Sequence, residues 1–176
     1  MSEQYAQLEQ KLLTHLVEAF GSETGEQFFE ILVVQLCQAL KADVAVVGKL
    51  VADAELTEVQ TLAVYADGRL KPNFNYDFRG TPCEKVLGRN ACVYPKGIQQ
   101  LFPEDEMLAQ MQAEGYAGVP LVDSHGRVLG LFTVLFNQEI PEPLLVEQLL
   151  RLFAVRACSE LERLNHEIDL LERERR

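Results

Sequence analysis

Along this chain the apolar residues recur with a helical period at both ends and a strand period between them, and few architectures accept that order. Tyr5, Leu8, Leu12, Leu16 and Ala19 are spaced by three and four, the stripe of one helix face, and Gly21 is its stop. Thr24 and Gln27 have the spacing of a capping box, which starts a second helix with Phe29, Leu32, Leu36 and Leu40 facing inward. The pattern then changes. Residues 44–51 and 59–66 are rich in β-branched side chains and read as a hairpin, the second run closing on the turn signal Asp67-Gly68. Residues 73–78 alternate aromatic and polar side chains, a third extended piece. Residues 118–122 and 127–136 flank Asp123-Ser124-His125-Gly126, with Asp and Gly at the ends of a type I turn. Short helices fill the interval, one starting at Thr81 and one over residues 103–114, stopped by Gly115. The expected order is α-α-β-β-β-α-α-β-β-α.

Strands joined by short turns make an antiparallel sheet, so the class is α+β, with the terminal helices covering one face. The segment between the third strand and the last hairpin must then cross the opposite face, where it can enclose a pocket. Charge narrows the partners. Against 27 Asp+Glu stand 16 Lys+Arg, a formal net charge of -11 with no basic cluster, which repels nucleic acid and anionic membranes. The longest apolar runs, residues 31–36 and 44–48, are far short of the roughly 20 residues that span a bilayer. The first residues carry no basic and apolar signal regions, so a cytoplasmic location is expected. In that reducing compartment Cys37, Cys83, Cys92 and Cys158, which form no CxxC pair, read as free thiols.

Several stretches, in their order and spacing over residues 24–158, resemble the GAF domains of bacterial sensor proteins: Asn73-Phe-Asn-Tyr-Asp-Phe-Arg-Gly-Thr-Pro-Cys-Glu-Lys-Val, Val93-Tyr-Pro, Phe102-Pro-Glu-Asp, Gly115-Tyr-Ala-Gly-Val-Pro-Leu-Val-Asp and Gly126-Arg-Val-Leu-Gly-Leu. The resemblance implies a GAF/PAS-like sheet with a small-molecule pocket on one face and dimerising helices on the other. It also implies a downstream kinase or cyclase domain. The Asn-Lys-x-Phe-Asp-Glu motif of cyclic-nucleotide-binding members is missing, as is the Cys-His pair that holds a bilin, so neither ligand is expected and no cofactor can be named.

Thr81-Pro82-Cys83-Glu84 is foremost a helix start, with Thr81 at the N-cap, Pro82 at the first position and Glu84 closing a capping box. A thiol in that first turn faces the positive end of the helix dipole, which favours thiolate. Alternatively Cys83 is a small buried group lining the pocket. The aromatic residues near the expected pocket are Tyr76, Phe78, Tyr94, Phe102 and Tyr116. With Cys83 they form the candidate ligand site, the tyrosines foremost because a buried hydroxyl needs a partner. Arg79 is a candidate contact for an anion or a solvated charge.

The free methionine sulfoxide reductases are GAF-fold enzymes that attack through a cysteine just before a Leu-Pro-type motif. The corresponding residues 114–121 contain none, and no catalytic set replaces it. His15, His125 and His166 fall on separate elements, so no metal site is expected. The chain is therefore not expected to be an enzyme.

The last helix, starting near Pro143, carries Leu150, Ala154, Ala157, Leu161, Leu164, Ile168 and Leu171 at alternating spacings of four and three, a heptad seam. Leu161, Leu164, Ile168 and Leu171 are the expected dimer contacts, in a two-stranded coil joined by the first helix. The division is residues 1–23 as a dimerisation helix, 24–158 as the GAF domain and 159–176 as a coiled-coil signalling helix. Because the last helix continues periodic up to Arg176, the protein is expected to continue beyond it. Three function classes stay open: a ligand-sensing homodimer, a dimerisation module with a closed pocket, and a cysteine-based reductase.

Overall fold

The computed structural model describes residues 3–4, 6–7, 10–11, 14, 25–51, 57–88 and 90–175. The stripe residues of the expected first helix lie outside these, as does Thr24. The described residues between 3 and 14 are helical and exposed.

Helix α1 spans Glu26–Leu40 with Gly25 at its N-cap and no side-chain cap bond there. Phe28, Phe29, Leu32, Val33, Leu36 and Cys37 are buried along one face. The strands are β1 (Val44–Leu50), β2 (Glu58–Ala66), β3 (Arg69–Lys71), β4 (Asn75–Asp77), β5 (Cys92–Tyr94), β6 (Gly115–Val122) and β7 (Val128–Phe136). Between β4 and β5 lies α2 (Pro82–Leu87), between β5 and β6 lie α3 (Ile98–Leu101) and α4 (Glu106–Gln110), and α5 (Pro143–Glu174) closes the order.

These strands form one antiparallel sheet in the order β3-β2-β1-β7-β6-β5, with β4 pairing on the start of β2. The class is α+β, as expected. Two hairpins, β1–β2 and β6–β7, meet along β1 and β7, with Val44 opposite Leu135 and Lys49 opposite Gly130. At Gly130 a Cβ would lie 2.0 Å from the Gly48 carbonyl oxygen, so only glycine lets the two central strands approach. The β6–β7 turn is built by Asp123, which is buried. Its carbonyl accepts from Gly126 N–H at 3.1 Å, and its carboxylate accepts from the N–H groups of His125 and Arg127.

Because successive strand side chains alternate, the central strands feed two cores. Ala45, Val47, Phe132 and Val134 join Ala117, Val119 and Leu121 under α1 and α5, where Leu149, Leu150, Phe153, Ala157 and Leu161 complete the packing. Val44, Val46, Leu131 and Leu135 belong to a second cluster with Cys83, Val86, Ile98, Leu108 and Tyr116 on the opposite face. Burial on both faces explains why β1 and β7 read as nearly continuous apolar runs.

Three details differ from the sequence expectation. Strands β3 and β5 are only three residues long, too short for alternation to show. The helix expected over residues 103–114 is confined to Glu106–Gln110, because the chain turns through Gln112 at φ 55°. The separate turn α3 precedes it. At α2, Thr81 is the N-cap, yet its hydroxyl donates back to the Phe78 carbonyl at 2.6 Å and no side-chain cap bond forms.

Helix α5 is 32 residues, about 48 Å at about 1.5 Å per residue. Its seam changes character midway. Leu150, Ala154, Ala157 and Leu161 are buried on the sheet, Leu164 is half-buried, and Ile168 and Leu171 are 45% and 52% exposed. At the junction Glu160, 2% exposed, accepts from the Gly25 N–H at 2.9 Å and from Arg163 Nε and Nη2 at 3.1 and 2.8 Å. One buried carboxylate thus ties the start of α1 to the point where α5 leaves the domain. Among the described residues no helix is long and apolar enough to cross a membrane.

Candidate functional site

The cover on the second face is made of short pieces, β4, α2 and α4, which cannot seal a sheet as a long helix does. They leave a cavity of about 270 Å³. Its floor is Val46 of β1 with Thr133 and Leu135 of β7, side chains that share a face through the pairing of Val46 with Thr133. Phe74 and Tyr76 form one wall, Thr81, Pro82 and Cys83 a second, and residues 104–108 with Met111 the third. A wider cleft of about 650 Å³ opens beside it among surface groups such as Gln38, Lys41, Asp67 and Lys71. The smaller cavity is the stronger candidate, because buried polar groups converge there.

That convergence centres on Cys83. Tyr76 Oη donates to its Sγ at 3.3 Å and Tyr116 Oη at 3.4 Å. Tyr116 stands on β6 opposite Leu135, and its hydroxyl folds over Gly118, where a Cβ would come within 2.8 Å of that oxygen. Cys83 is 8% exposed, and burial pushes its thiol pKa up against the lowering effect of the bonds from Tyr116 and Tyr76. The dipole-activated thiolate is therefore not the state of this cysteine. Desolvation outweighs the turn-one position, and Cys83 stays a neutral thiol. Burial likewise raises both tyrosine hydroxyls well above their ordinary range, so all three groups are neutral.

Of the six aromatic and thiol candidates, the fold brings Tyr76, Cys83 and Tyr116 together at the cavity wall. Phe78, Tyr94 and Phe102 pack around the same cluster without lining the cavity. Tyr94 spends its ring on Phe102 and Tyr116, with centroids at 5.5 and 6.2 Å. Arg79 lies at the rim with its Nε 3.1 and 3.0 Å from the two Asp77 carboxylate oxygens, which holds the Asp77 pKa below the usual range. Lining residues that the sequence did not offer as site candidates include Val46, Thr133 and Leu135 on the floor and Asp105, Met107 and Met111 on the wall. Thr133 did carry a signal: it is the single polar side chain in the run Val-Leu-Gly-Leu-Phe-Thr-Val-Leu-Phe of β7. Among the described residues no group of His, Cys, Asp and Glu is arranged to hold a metal, and all four cysteines are free.

Residues 24–161 match the family model described as GAF domain. The chain belongs to the GAF domain family. Among solved structures, it is similar to the GAF domain of a phosphoenolpyruvate-protein phosphotransferase from Coxiella burnetii, at 18% identity and a TM-score of 0.72, covering 92% of this chain and 97% of that one. The GAF domain of the Acinetobacter phosphoenolpyruvate-protein phosphotransferase is 14% identical with a TM-score of 0.69, covering 96% and 99%. The chromophore-binding domain of a Stigmatella aurantiaca bacteriophytochrome is 14% identical with a TM-score of 0.67, covering 90% of this chain and 60% of that one. At these identities the likeness is one of fold. No curated protein matches the chain significantly.

Proposed function

We propose that this GAF domain is a cytoplasmic, non-enzymatic sensor that binds a small molecule in the cavity over Thr133 and relays its occupancy through paired α5 helices to a downstream effector. The observation that carries this reading is the cavity itself, where the hydroxyls of Tyr76 and Tyr116 and the thiol of Cys83 meet beside apolar side chains such as Val46, Leu135 and Met111. Membership of the family supports it, and so does the exposed seam at Ile168 and Leu171, which presents an unpartnered apolar stripe at coiled-coil spacing. Native mass spectrometry of the purified chain tests the binding step. A retained small molecule, lost on Thr133→Phe, is expected. An apo mass after purification from several growth conditions would count against it.

Light scattering tests the relay. The wild type is expected to run as a dimer at micromolar concentration and Leu164→Asp with Ile168→Asp as a monomer with unchanged sheet content. A wild-type monomer would overturn it. One observation favours a second reading, a dimerisation module with no ligand: Tyr76, Tyr116 and Cys83 already satisfy one another. Under that reading the light-scattering result is the same and no molecule is retained. Methionine sulfoxide reductase turnover is expected to be absent, because a buried neutral thiol at Cys83 is a poor nucleophile.

A further inference from the structure

We infer that the cavity takes a compact organic cation, a protonated or quaternary amine with an apolar body, its charged head among residues 104–106 and its body against Phe74, Tyr76 and Met111. The inference rests on the sensor reading of this cavity and adds the class of ligand.

Hydrogen-bond direction carries the first step. Tyr76 and Tyr116 hold their hydroxyls against Cys83 Sγ and Thr81 donates to the Phe78 carbonyl, so the protons of this cluster are engaged within the wall while its oxygens keep lone pairs. The remaining polar lining is Asp77, Glu104, Asp105 and Glu106, which ionised can only accept, and Arg79, whose guanidinium is engaged with Asp77. Acceptors outnumber donors on this lining, so it suits a ligand that donates. On the floor Thr133 is 4% exposed, and its hydroxyl has no protein partner among the described residues, while no buried side-chain oxygen there is sealed without one. That hydroxyl opens onto the cavity, a polar group left for a ligand.

Charge carries the second step. Four carboxylates and one guanidinium line the site, and Glu104, Asp105 and Glu106 have no ion-pair partner among the described residues. An anion would be repelled as it lost its water. Asp105 is half-buried, its carboxylate held by the Met107 N–H at 3.1 Å, and burial raises its pKa. A cation beside it would restore the missing counter-charge. The rings of Phe74 and Tyr76, 5.9 Å apart, supply apolar surface against which the body of such a ligand packs. A cavity of about 270 Å³ limits the ligand to a small one.

Four probes of one shape test this on the full chain: benzylammonium, benzyltrimethylammonium, benzyl alcohol and benzoate. Methyl NMR of Thr133, Met107 and Met111 locates binding, and titration gives affinity. The cations are expected to shift these signals at millimolar concentration, with the alcohol about tenfold weaker and benzoate silent. Benzylammonium ahead of its trimethyl analogue assigns the site to primary amines, and the reverse to quaternary ones. In Asp105→Asn with Glu104→Gln, where asparagine keeps the cap of α4, cation affinity is expected to fall about tenfold while that of the alcohol holds. Benzoate or the alcohol binding there as tightly as the cations would overturn the inference and leave the sensor reading intact. Failure of both cations to bind would overturn it too, and native mass spectrometry then judges the sensor reading separately.

Discussion

The two faces of this sheet are built from the same strands yet do different work. Under α1 and α5 the lining is almost wholly apolar, with Phe28, Phe29, Phe132, Leu149 and Leu150 sealed by two long helices. On the other face, pieces of four to six residues cover the sheet, and hydroxyls, a thiol and carboxylates replace part of the apolar lining. A long amphipathic helix buries a continuous stripe, whereas a single helical turn buries one or two side chains and leaves space beside them. Stability is concentrated on the first face and binding capacity on the second.

The sharpest way to break this contrast is to truncate matched side chains of β7. Phe132→Ala, on the sealed face, is expected to cost about 3–5 kcal/mol of unfolding free energy. Leu135→Ala, beside the existing cavity, should fall at the low end of about 2–5 kcal/mol. Urea denaturation of both measures the difference, and equal losses would refute the division of labour.

Glu160 marks the junction of the sealed face with the exposed half of α5. Burial acts to raise its carboxyl pKa, but the bonds from Arg163 and Gly25 outweigh it and hold the pKa below the ordinary glutamate value. A folded pKa depressed below the unfolded one stabilises the protein above the unfolded value, and that contribution is lost as pH falls through the folded pKa. Glu160→Gln is therefore expected to cost about 1–2 kcal/mol at neutral pH and to flatten the acid limb of stability below about pH 4.3. Thermal melts from pH 7 to pH 3 would show it.

The smallest effect is read in thiol chemistry. Burial raises Cys37 to about 12 and Cys158 to about 11, raises Cys83 as well, and raises the half-buried Cys92. Mass-mapped alkylation at pH 8 should label Cys92 first and Cys37, Cys83 and Cys158 only on unfolding. Cavity occupancy should leave the rate at Cys92 unchanged. Rapid labelling of Cys83 would mean that the cover over the second face opens readily.

What the linear order of residues determined here is the type of each long element and the side it buries. Apolar and β-branched runs bounded by turn signals made β1, β2, β6 and β7, and the seam to Leu161 laid α5 on the sheet, because each such element carries enough residues for its pattern to outweigh local exceptions. The site was legible only in part. Tyr76, Cys83 and Tyr116 were visible as candidates, but so were Phe78, Tyr94 and Phe102, since nothing in an isolated aromatic residue tells which side of a short strand it faces. Register decided that: Tyr76 opposite Val59 turns to the cavity, and the pairing of Val46 with Thr133 sets a lone hydroxyl on its floor. The clasp of Glu160 on Gly25 joins residues 135 apart in sequence. Such contacts are chosen by how whole elements pack, and no local window of sequence contains both partners.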